Sequence, residues 1–258
     1  MPGRFERYVA IGDSSTEGLD DPDGRGGYRG WADRLAARLA ALQGSVLYAN
    51  FGVRGRRTSE VRADQLLRAA LLKPDLATVF TGTNDVIAPR FDAEAVANDM
   101  EWMQRTLVQS GATVLTFTLP DLAPVMPLAR ILTPRIRALN RALRAAAARS
   151  GAILVDFARH PVASDWRLWS EDRIHANPLG HARIAEALAH ALGLPGATDA
   201  WQQPLPGPAG RGALGALAAE WRWGTRHLLP WVTAPLARRP VPVRRGKREE
   251  LTELRAQA

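Results

Sequence analysis

Five short apolar runs alternate with segments of helical period along residues 7–195, and this alternation limits the possible folds more than any other feature. The runs predict strands at Tyr8–Ile11, Val46–Ala49, Leu76–Phe80, Thr113–Leu119 and Ala152–Val155. The other segments predict helices at 31–42, 58–72, 92–107, 133–150 and 177–192. Strands separated by helices pair in parallel through right-handed crossovers, and strands that are apolar throughout fit a sheet covered on both faces. The sequence therefore predicts an α/β fold with a parallel five-stranded sheet.

The chain contains no cysteine among its 258 residues. Disulfide bridges, thiolate metal sites and a cysteine nucleophile are therefore excluded. No apolar run approaches the roughly 18 residues of a membrane-spanning helix. The apolar stretch that ends at Gly12 is too short for the core of a signal peptide, and no small-residue cleavage site follows it. We expect a protein that is not exported and is located in the cytoplasm.

The net charge of +8 is unevenly distributed. Residues 201–258 carry 10 Lys and Arg against 4 Asp and Glu, so a net charge of +6 lies in this last part of the chain. The same residues include four of the eight tryptophans. Because the basic residues concentrate outside the predicted α/β region, we do not expect a nucleic acid as partner.

We divide the chain into a domain at 1–200 and a C-terminal tail at 201–258. The composition of the tail changes along its length. It predicts a Pro/Gly-rich linker at 202–215. A Trp-rich and partly amphipathic stretch at 214–236 and a mobile Pro- and Arg-rich stretch at 238–248 follow it. Two interpretations of the tail stay open. The tryptophans and arginines contact an anionic membrane surface and are dispensable for chemistry, or Trp221, Trp223 and Trp231 pack back onto the domain.

Polar residues follow the predicted strands at four places: Gly12-Asp13-Ser14, Asn50-Phe51-Gly52, Gly82-Thr83-Asn84-Asp85 and, further on, Asp172-Arg173-Ile174-His175. Parallel sheets bind ligands at the carboxyl ends of their strands. Each group alone is an ordinary turn or loop sequence. Together they supply a hydroxyl nucleophile, backbone and side-chain amide donors, and an acid–base pair.

These residue types are the ones that ester cleavage requires. A serine hydroxyl needs a neighbouring base, and histidine titrates near neutral pH. An aspartate three residues before the histidine can share its turn and orient the imidazole. The negative charge that develops on the attacked carbonyl oxygen requires preorganised N–H donors. Gly52 lets a backbone N–H approach closely, and Asn84 offers two amide protons.

The four groups resemble, in order, the conserved blocks of the SGNH hydrolases, also called GDSL esterases/lipases, over about residues 7–195. Ser15 stands where the family name has Leu. The resemblance implies a flavodoxin-like three-layer α/β/α fold and hydrolysis of acyl esters, without metal or cofactor. It implies that Ser14 is the nucleophile, His175 the base and then the acid, and Asp172 the residue that orients His175. The oxyanion hole would be formed by the Ser14 and Gly52 N–H groups and the Asn84 side chain.

Other sites are disfavoured by spacing. A Gly-x-Ser-x-Gly elbow, a Walker loop and a dinucleotide fingerprint are absent from the sequence. Asp20, Asp21 and Asp23 do not have the spacing of a calcium loop. We expect His181 to cap or pack a helix and Asp85 to brace the Asn84 loop.

The sequence thus predicts a metal-independent serine esterase that acts on a small-molecule acyl ester through an acyl-enzyme. Two alternatives stay open: a carbohydrate O-deacetylase on the same scaffold, and a catalytically idle binding module whose tail docks on a membrane or a partner.

Overall fold

The computed structural model describes residues 4–207, 221–228 and 246–256. Within these ranges six strands form one sheet: β1 Arg7–Gly12, β2 Ser45–Asn50, β3 Leu76–Phe80, β4 Thr113–Phe117, β5 Ile153–Val155 and β6 Arg248–Arg255. The helices are α1 Ser14–Glu17, α2 Gly30–Gln43, α3 Thr58–Leu71, α4 Thr83–Ile87, α5 Ala93–Gln109, α6 Thr133–Ser150 and α7 Pro178–Ala191.

The strand order in the sheet is β5-β4-β3-β1-β2-β6, and the first five strands pair in parallel. Helix α2 packs with α7, whereas α3, α5 and α6 pack in series. The predicted α/β fold with a sheet flanked by helices is confirmed. The central position of β1 brings the turn that follows it to the middle of the carboxyl edge.

The predicted strand count and the all-parallel sheet are wrong, because the tail supplies a sixth strand, antiparallel to β2. Its sequence carries no apolar run, and only Leu251 and Leu254 pack against the core. Arg248–Arg255 was therefore missed, although charged side chains are typical of an edge strand. Glu249 holds the strand to α3 through an ion pair with Arg68 at 2.6 Å.

Much of the tail lies outside the described residues, namely 208–220 and 229–245, which include most of the predicted linker and mobile stretch. The division at residue 200 stays a prediction. In the described ranges, no helix is both long enough and apolar enough to cross a membrane.

Helix boundaries follow the capping residues in the sequence. Asp92 accepts hydrogen bonds from the Glu94 and Ala95 N–H groups at the start of α5, at 3.0 and 3.1 Å. Helix α6 covers the predicted 133–150 and ends at Gly151, whose φ of +81° favours glycine. Asn177 caps α7, with Pro178 in the first helical position.

The turn after β1 is fixed by close packing. The backbone N–H and C=O of Gly12 both bond the side chain of buried Gln65, at 2.8 and 3.0 Å. A Cβ atom at residue 12 would lie 2.0 Å from the Phe80 carbonyl oxygen. This oxygen belongs to the backbone of β3 and cannot move aside as a flexible side chain could. Only glycine therefore lets the chain pass from β1 into α1 at this point.

We predict that Leu254→Asp destabilises the protein, because it places a charge where β6 packs on the core. A partly buried leucine contributes on the order of 1–3 kcal/mol to the free energy of unfolding. For a chain of this size the melting temperature should fall by roughly 3–10 °C. Thr252→Asp, on the exposed part of β6, is the matched control, measured with Leu254→Asp by thermal denaturation. Equal melting temperatures for the two variants would contradict a packing role for β6.

Candidate active site

The carboxyl edge of the sheet brings together four segments that are far apart in sequence. Ser14 begins α1 directly after β1, and Asn84 lies in α4 after β3. The loop 51–57 follows β2, and the turn that contains Asp172 and His175 precedes α7. This is the edge at which parallel sheets bind ligands.

A chain of two hydrogen bonds connects the predicted triad. The Nε2 atom of His175 lies 2.7 Å from Ser14 Oγ, and its Nδ1 atom lies 2.5 Å from Asp172 Oδ2. Ser14 is buried, with 7% of its surface exposed. The arrangement allows His175 to accept the Ser14 proton while Asp172 fixes the tautomer of its ring.

The turn itself holds the second carboxylate oxygen of Asp172. Oδ1 accepts hydrogen bonds from Ser170 Oγ at 2.6 Å and from the N–H groups of Ile174 and His175 at 2.9 and 3.0 Å. The Ser170 N–H closes the turn by donating to the His175 carbonyl at 2.9 Å. Oδ2 is thereby left to face the imidazole. Sequence reasoning missed Ser170, whose only signal was a serine two residues before the aspartate.

The electrostatics of the pair favour an ionised carboxylate and a basic imidazole. Burial opposes the charge on Asp172, but the hydrogen bonds from His175 and its neighbours outweigh burial and hold the carboxyl pKa well below its usual range. Burial likewise opposes protonation of His175. The hydrogen bond and charge of Asp172, assisted by Asp20 and Asp13, nevertheless raise the pKa of His175 above its ordinary value.

Asp20 comes from the loop after α1. One oxygen of its carboxylate lies within 4.8 Å of ligand-type atoms of both Asp172 and His175. Its φ of +66° is uncommon for a residue other than glycine. The sequence spacing disfavoured a calcium loop at Asp20 but gave no role for it, whereas the fold places its carboxylate beside His175.

Asp13 and Ser15 flank Ser14 in the chain, and each has a hydrogen bond that fixes its own position. Asp13 caps α1 by accepting from the Ser15 N–H at 3.0 Å, and burial raises the pKa of its carboxyl to about 7. The Ser15 hydroxyl accepts a hydrogen bond from the Trp31 indole at 3.2 Å. Of the two adjacent serines, only Ser14 is bonded to His175.

The neighbours of Asn84 hold its side chain at the site. Asn84 Nδ2 donates to the Arg56 carbonyl at 2.9 Å, and in the described part of the chain its second proton has no acceptor. Asp85 Oδ2 accepts from the Thr58 N–H and hydroxyl at 3.0 and 2.8 Å. Asp85 therefore braces the loop, as predicted, and Asn84 keeps one proton available.

The geometry does not favour the role predicted for Gly52. Its N–H donates to Asn50 Oδ1 at 2.8 Å and is already engaged. A Cβ atom at residue 52 would lie 2.4 Å from the Glu17 nitrogen. Close packing against α1 is therefore enough to explain a glycine at this position, without a catalytic role.

Gly55, three residues further along the same loop, has a backbone N–H that is available for bonding. Among the described residues its N–H has no hydrogen-bond partner, and its φ is +80°. The next residue, Arg56, is the one whose carbonyl holds Asn84. Sequence spacing does not distinguish Gly55 from Gly52, because both glycines follow β2 and lie only three residues apart. Gly55 was therefore not singled out from the sequence.

An apolar cavity of about 80 Å³ lies beside these residues, with Ser15 and Thr83 in its wall. Its other lining residues are mainly aromatic and aliphatic, and include Phe80, Phe117, Phe157, Leu168, Trp169 and Trp201. Trp169 is therefore a lining residue of this cavity. A second, polar cavity of about 440 Å³ shares Trp169 and is lined also by Ser170, Glu171 and Arg222.

His181 is a structural residue, as predicted. Its Nδ1 accepts from the Trp31 N–H at 3.1 Å, and its Nε2 donates to the Leu19 carbonyl at 2.9 Å. Burial lowers the pKa of His181 to about 4, so the ring is neutral at ordinary pH. It ties α7 to α2 and to the loop that carries Asp20.

The sequence matches the family model described as GDSL-like Lipase/Acylhydrolase over residues 10–183. The chain belongs to this family. It is 30% identical over 203 residues to the GDSL lipase Rv0518 of Mycobacterium tuberculosis, a match that covers 74% of this chain and 83% of the relative. The resemblance to the SGNH hydrolases is confirmed.

Solved structures share the fold. TesA superposes with a TM-score of 0.61 at 22% identity, covering 72% of this chain and 98% of that one. Axe2, an acetylxylan esterase from Geobacillus stearothermophilus, superposes with a TM-score of 0.60 at 17% identity, covering 75% and 97%. The family match ends at residue 183, so the tail lies beyond it.

We predict that Asp20→Asn lowers the pKa of His175. The carboxylate of Asp20 lies within 4.8 Å of a ring nitrogen of His175, so removing its negative charge makes the protonated imidazole less stable. NMR titration of the His175 ring should therefore give a wild-type value above the ordinary 6.5 and a lower value in the variant. Asp23→Asn is the control, because Asp23 lies in the same loop but outside the cluster of Asp20, Asp172 and His175. An unchanged titration in Asp20→Asn would refute the proximity effect.

Proposed function

We propose that this family member is a serine ester hydrolase that works through an acyl-enzyme. The observation that carries the proposal is the unbroken chain from Asp172 through His175 to Ser14, at 2.5 and 2.7 Å. A catalytically idle binding module would not need a buried serine, an oriented imidazole and an ionised carboxylate in this order.

In the first half-reaction, Ser14 Oγ attacks the ester carbonyl carbon and its proton passes to His175 Nε2. Ionised Asp172 stabilises the resulting imidazolium. The tetrahedral intermediate then collapses, the carbon–oxygen bond to the alcohol breaks, and His175 returns the proton to the leaving oxygen. Ser14 is left as an acyl ester.

In the second half-reaction, His175 removes a proton from water, which attacks the acyl carbon. Collapse releases the carboxylic acid, and the proton on His175 returns to Ser14 Oγ. His175 must be neutral at the start of both halves. Activity should therefore rise with pH through the raised pKa of His175.

For the oxyanion we propose the Ser14 N–H, the free proton of Asn84 and the Gly55 N–H, instead of Gly52. The Ser14 N–H stands at the start of α1 with no acceptor in the described ranges. Donors left unpaired in the free enzyme are available to the charge that develops in the transition state. The bonded Gly52 N–H would first have to leave Asn50.

The apolar cavity supports a short acyl group. Its volume of about 80 Å³ is well below the roughly 150 Å³ of an engineered cavity that binds benzene. We propose acetyl to butyryl esters as the preferred acyl class.

The second candidate is the carbohydrate O-deacetylase, which would use the same acetyl pocket. The polar cavity that shares Trp169 favours it, because aromatic and charged side chains there suit a polar alcohol. Three expectations from the sequence stay predictions. They are a cytoplasmic location, the lack of a nucleic-acid partner, and contact between the tail and a membrane.

We predict that a fluorophosphonate labels Ser14 alone and that p-nitrophenyl acetate and butyrate are turned over faster than the decanoate. Ser14→Ala should lower turnover by about 10⁶, as in triads that act as a unit. Ser15→Ala is the matched control and should keep labelling. Mass spectrometry of the labelled protein locates the adduct. An adduct on Ser15, or no adduct together with no ester turnover, would end the proposal.

We predict that Asn84→Ala lowers kcat by about 10²–10³ with little change in KM, the usual loss of one oxyanion donor. Replacing Gly55 by glycolic acid, which exchanges the amide for an ester and removes only the N–H, should cause a similar loss. The same exchange at Gly52 is the control and should leave kcat much less affected. The reverse order for the two glycines would restore Gly52 as the donor.

A further inference from the structure

Part of the tail packs against the turn that carries Asp172. Residues 221–228 lie beyond the family match, yet Trp223 is buried there with 6% of its surface exposed. Its ring packs in an apolar cluster with Leu122, Met126 and Ala129. This cluster is separate from the main core and lies against Trp169.

Three consecutive residues of the turn are held from this segment. The Trp223 indole N–H donates to the Asp172 backbone carbonyl at 3.1 Å. The guanidinium of Arg173 lies over the Trp223 ring, 4.9 Å from its centroid. Glu171 forms an ion pair with Arg226 at 3.0 Å.

The turn needs such support. Arg173 has a φ of +64°, a conformation that residues other than glycine rarely adopt, and it is nevertheless buried. The inner side of the turn is held by bonds to the Asp172 carboxylate, whereas Trp223 holds the outer side through the Asp172 main chain. Both sets of contacts fix the position from which Asp172 Oδ2 reaches His175.

We propose that Trp223 is a positioning residue for the catalytic turn, so that the C-terminal tail supports the active site. The inference rests on the proposed ester hydrolysis. Without the indole N–H and ring, Asp172 is held less firmly against His175. The hydrogen bond and charge of Asp172 contribute most to raising the pKa of His175, so weakening that contact lowers both kcat and the pKa.

The same contacts limit the alternative use of the tail. Trp223 is not available to a membrane surface while it bonds Asp172. Trp221, two residues earlier, is 75% exposed, and Trp231 lies outside the described residues. Trp221 therefore offers a matched control in the same helical turn.

The test compares Trp223→Phe, which keeps a ring but removes the N–H, with Trp221→Phe. Enzyme concentrations are set by titration with a fluorophosphonate, so that only active sites are counted. For Trp223→Phe we expect kcat for p-nitrophenyl acetate to fall about threefold to tenfold, the range of one net hydrogen bond, at unchanged KM. The acid limb of the kcat/KM profile should move to lower pH. Trp221→Phe should match the wild type in both measurements.

A purely structural role would reduce the number of active sites without moving the acid limb, and that result would overturn the proposal. So would an unchanged kcat in Trp223→Phe. If Trp223→Phe fails to fold, benzothienylalanine at position 223 keeps the shape of the indole and removes only the N–H, and the same outcomes apply. Wild-type protein that neither labels nor hydrolyses would instead refute the proposed function.

Discussion

The contact between Gly12 and the Phe80 carbonyl is the constraint on which the rest of the site depends. No side chain fits between β1 and β3 at this point. Because residue 12 is glycine, the chain can turn sharply here and start α1 within two residues. Gln65 secures the turn from α3 by bonding both backbone groups of Gly12. The position of Ser14 is thus fixed by contacts within β1, β3 and α3, and the other functional groups lie around it.

The groups that surround Ser14 lie on loops, a turn and the short helix α4, and polar contacts as well as apolar packing hold these segments in place. Asp85 and Thr58 join the loops after β3 and β2, and Asn84 bonds the Arg56 carbonyl between them. His181 joins α7 to the loop of Asp20. Positions defined by directional bonds suit catalysis, because a hydrogen-bond donor or base must be placed to within a fraction of an ångström.

Sequence patterns predicted the parts of the molecule that have a local cause. Periodicity located β1 to β5, capping residues located α5 to α7, and strand ends located Ser14, Asn84, Asp172 and His175. The parts that were missed depend on contacts made far away in sequence. Strand β6 is a strand only because β2 offers an unpaired edge. The choice between Gly52 and Gly55 depends on where Asn50 directs its oxygen, and the role of Trp223 depends on a backbone carbonyl 51 residues earlier.

The pairing of β2 with β6 has a consequence for biosynthesis. Val46 pairs with Leu254, so the outer edge of β2 remains open until about 200 further residues have been translated. At about 5–20 residues per second this interval lasts roughly 10–40 seconds. During it the nascent domain exposes a row of unpaired backbone N–H and C=O groups, the surface on which strands of different chains associate. The late strand, rich in Arg and Glu, then pairs with that edge and replaces it with a charged one, so that strands of other chains no longer find an open partner there.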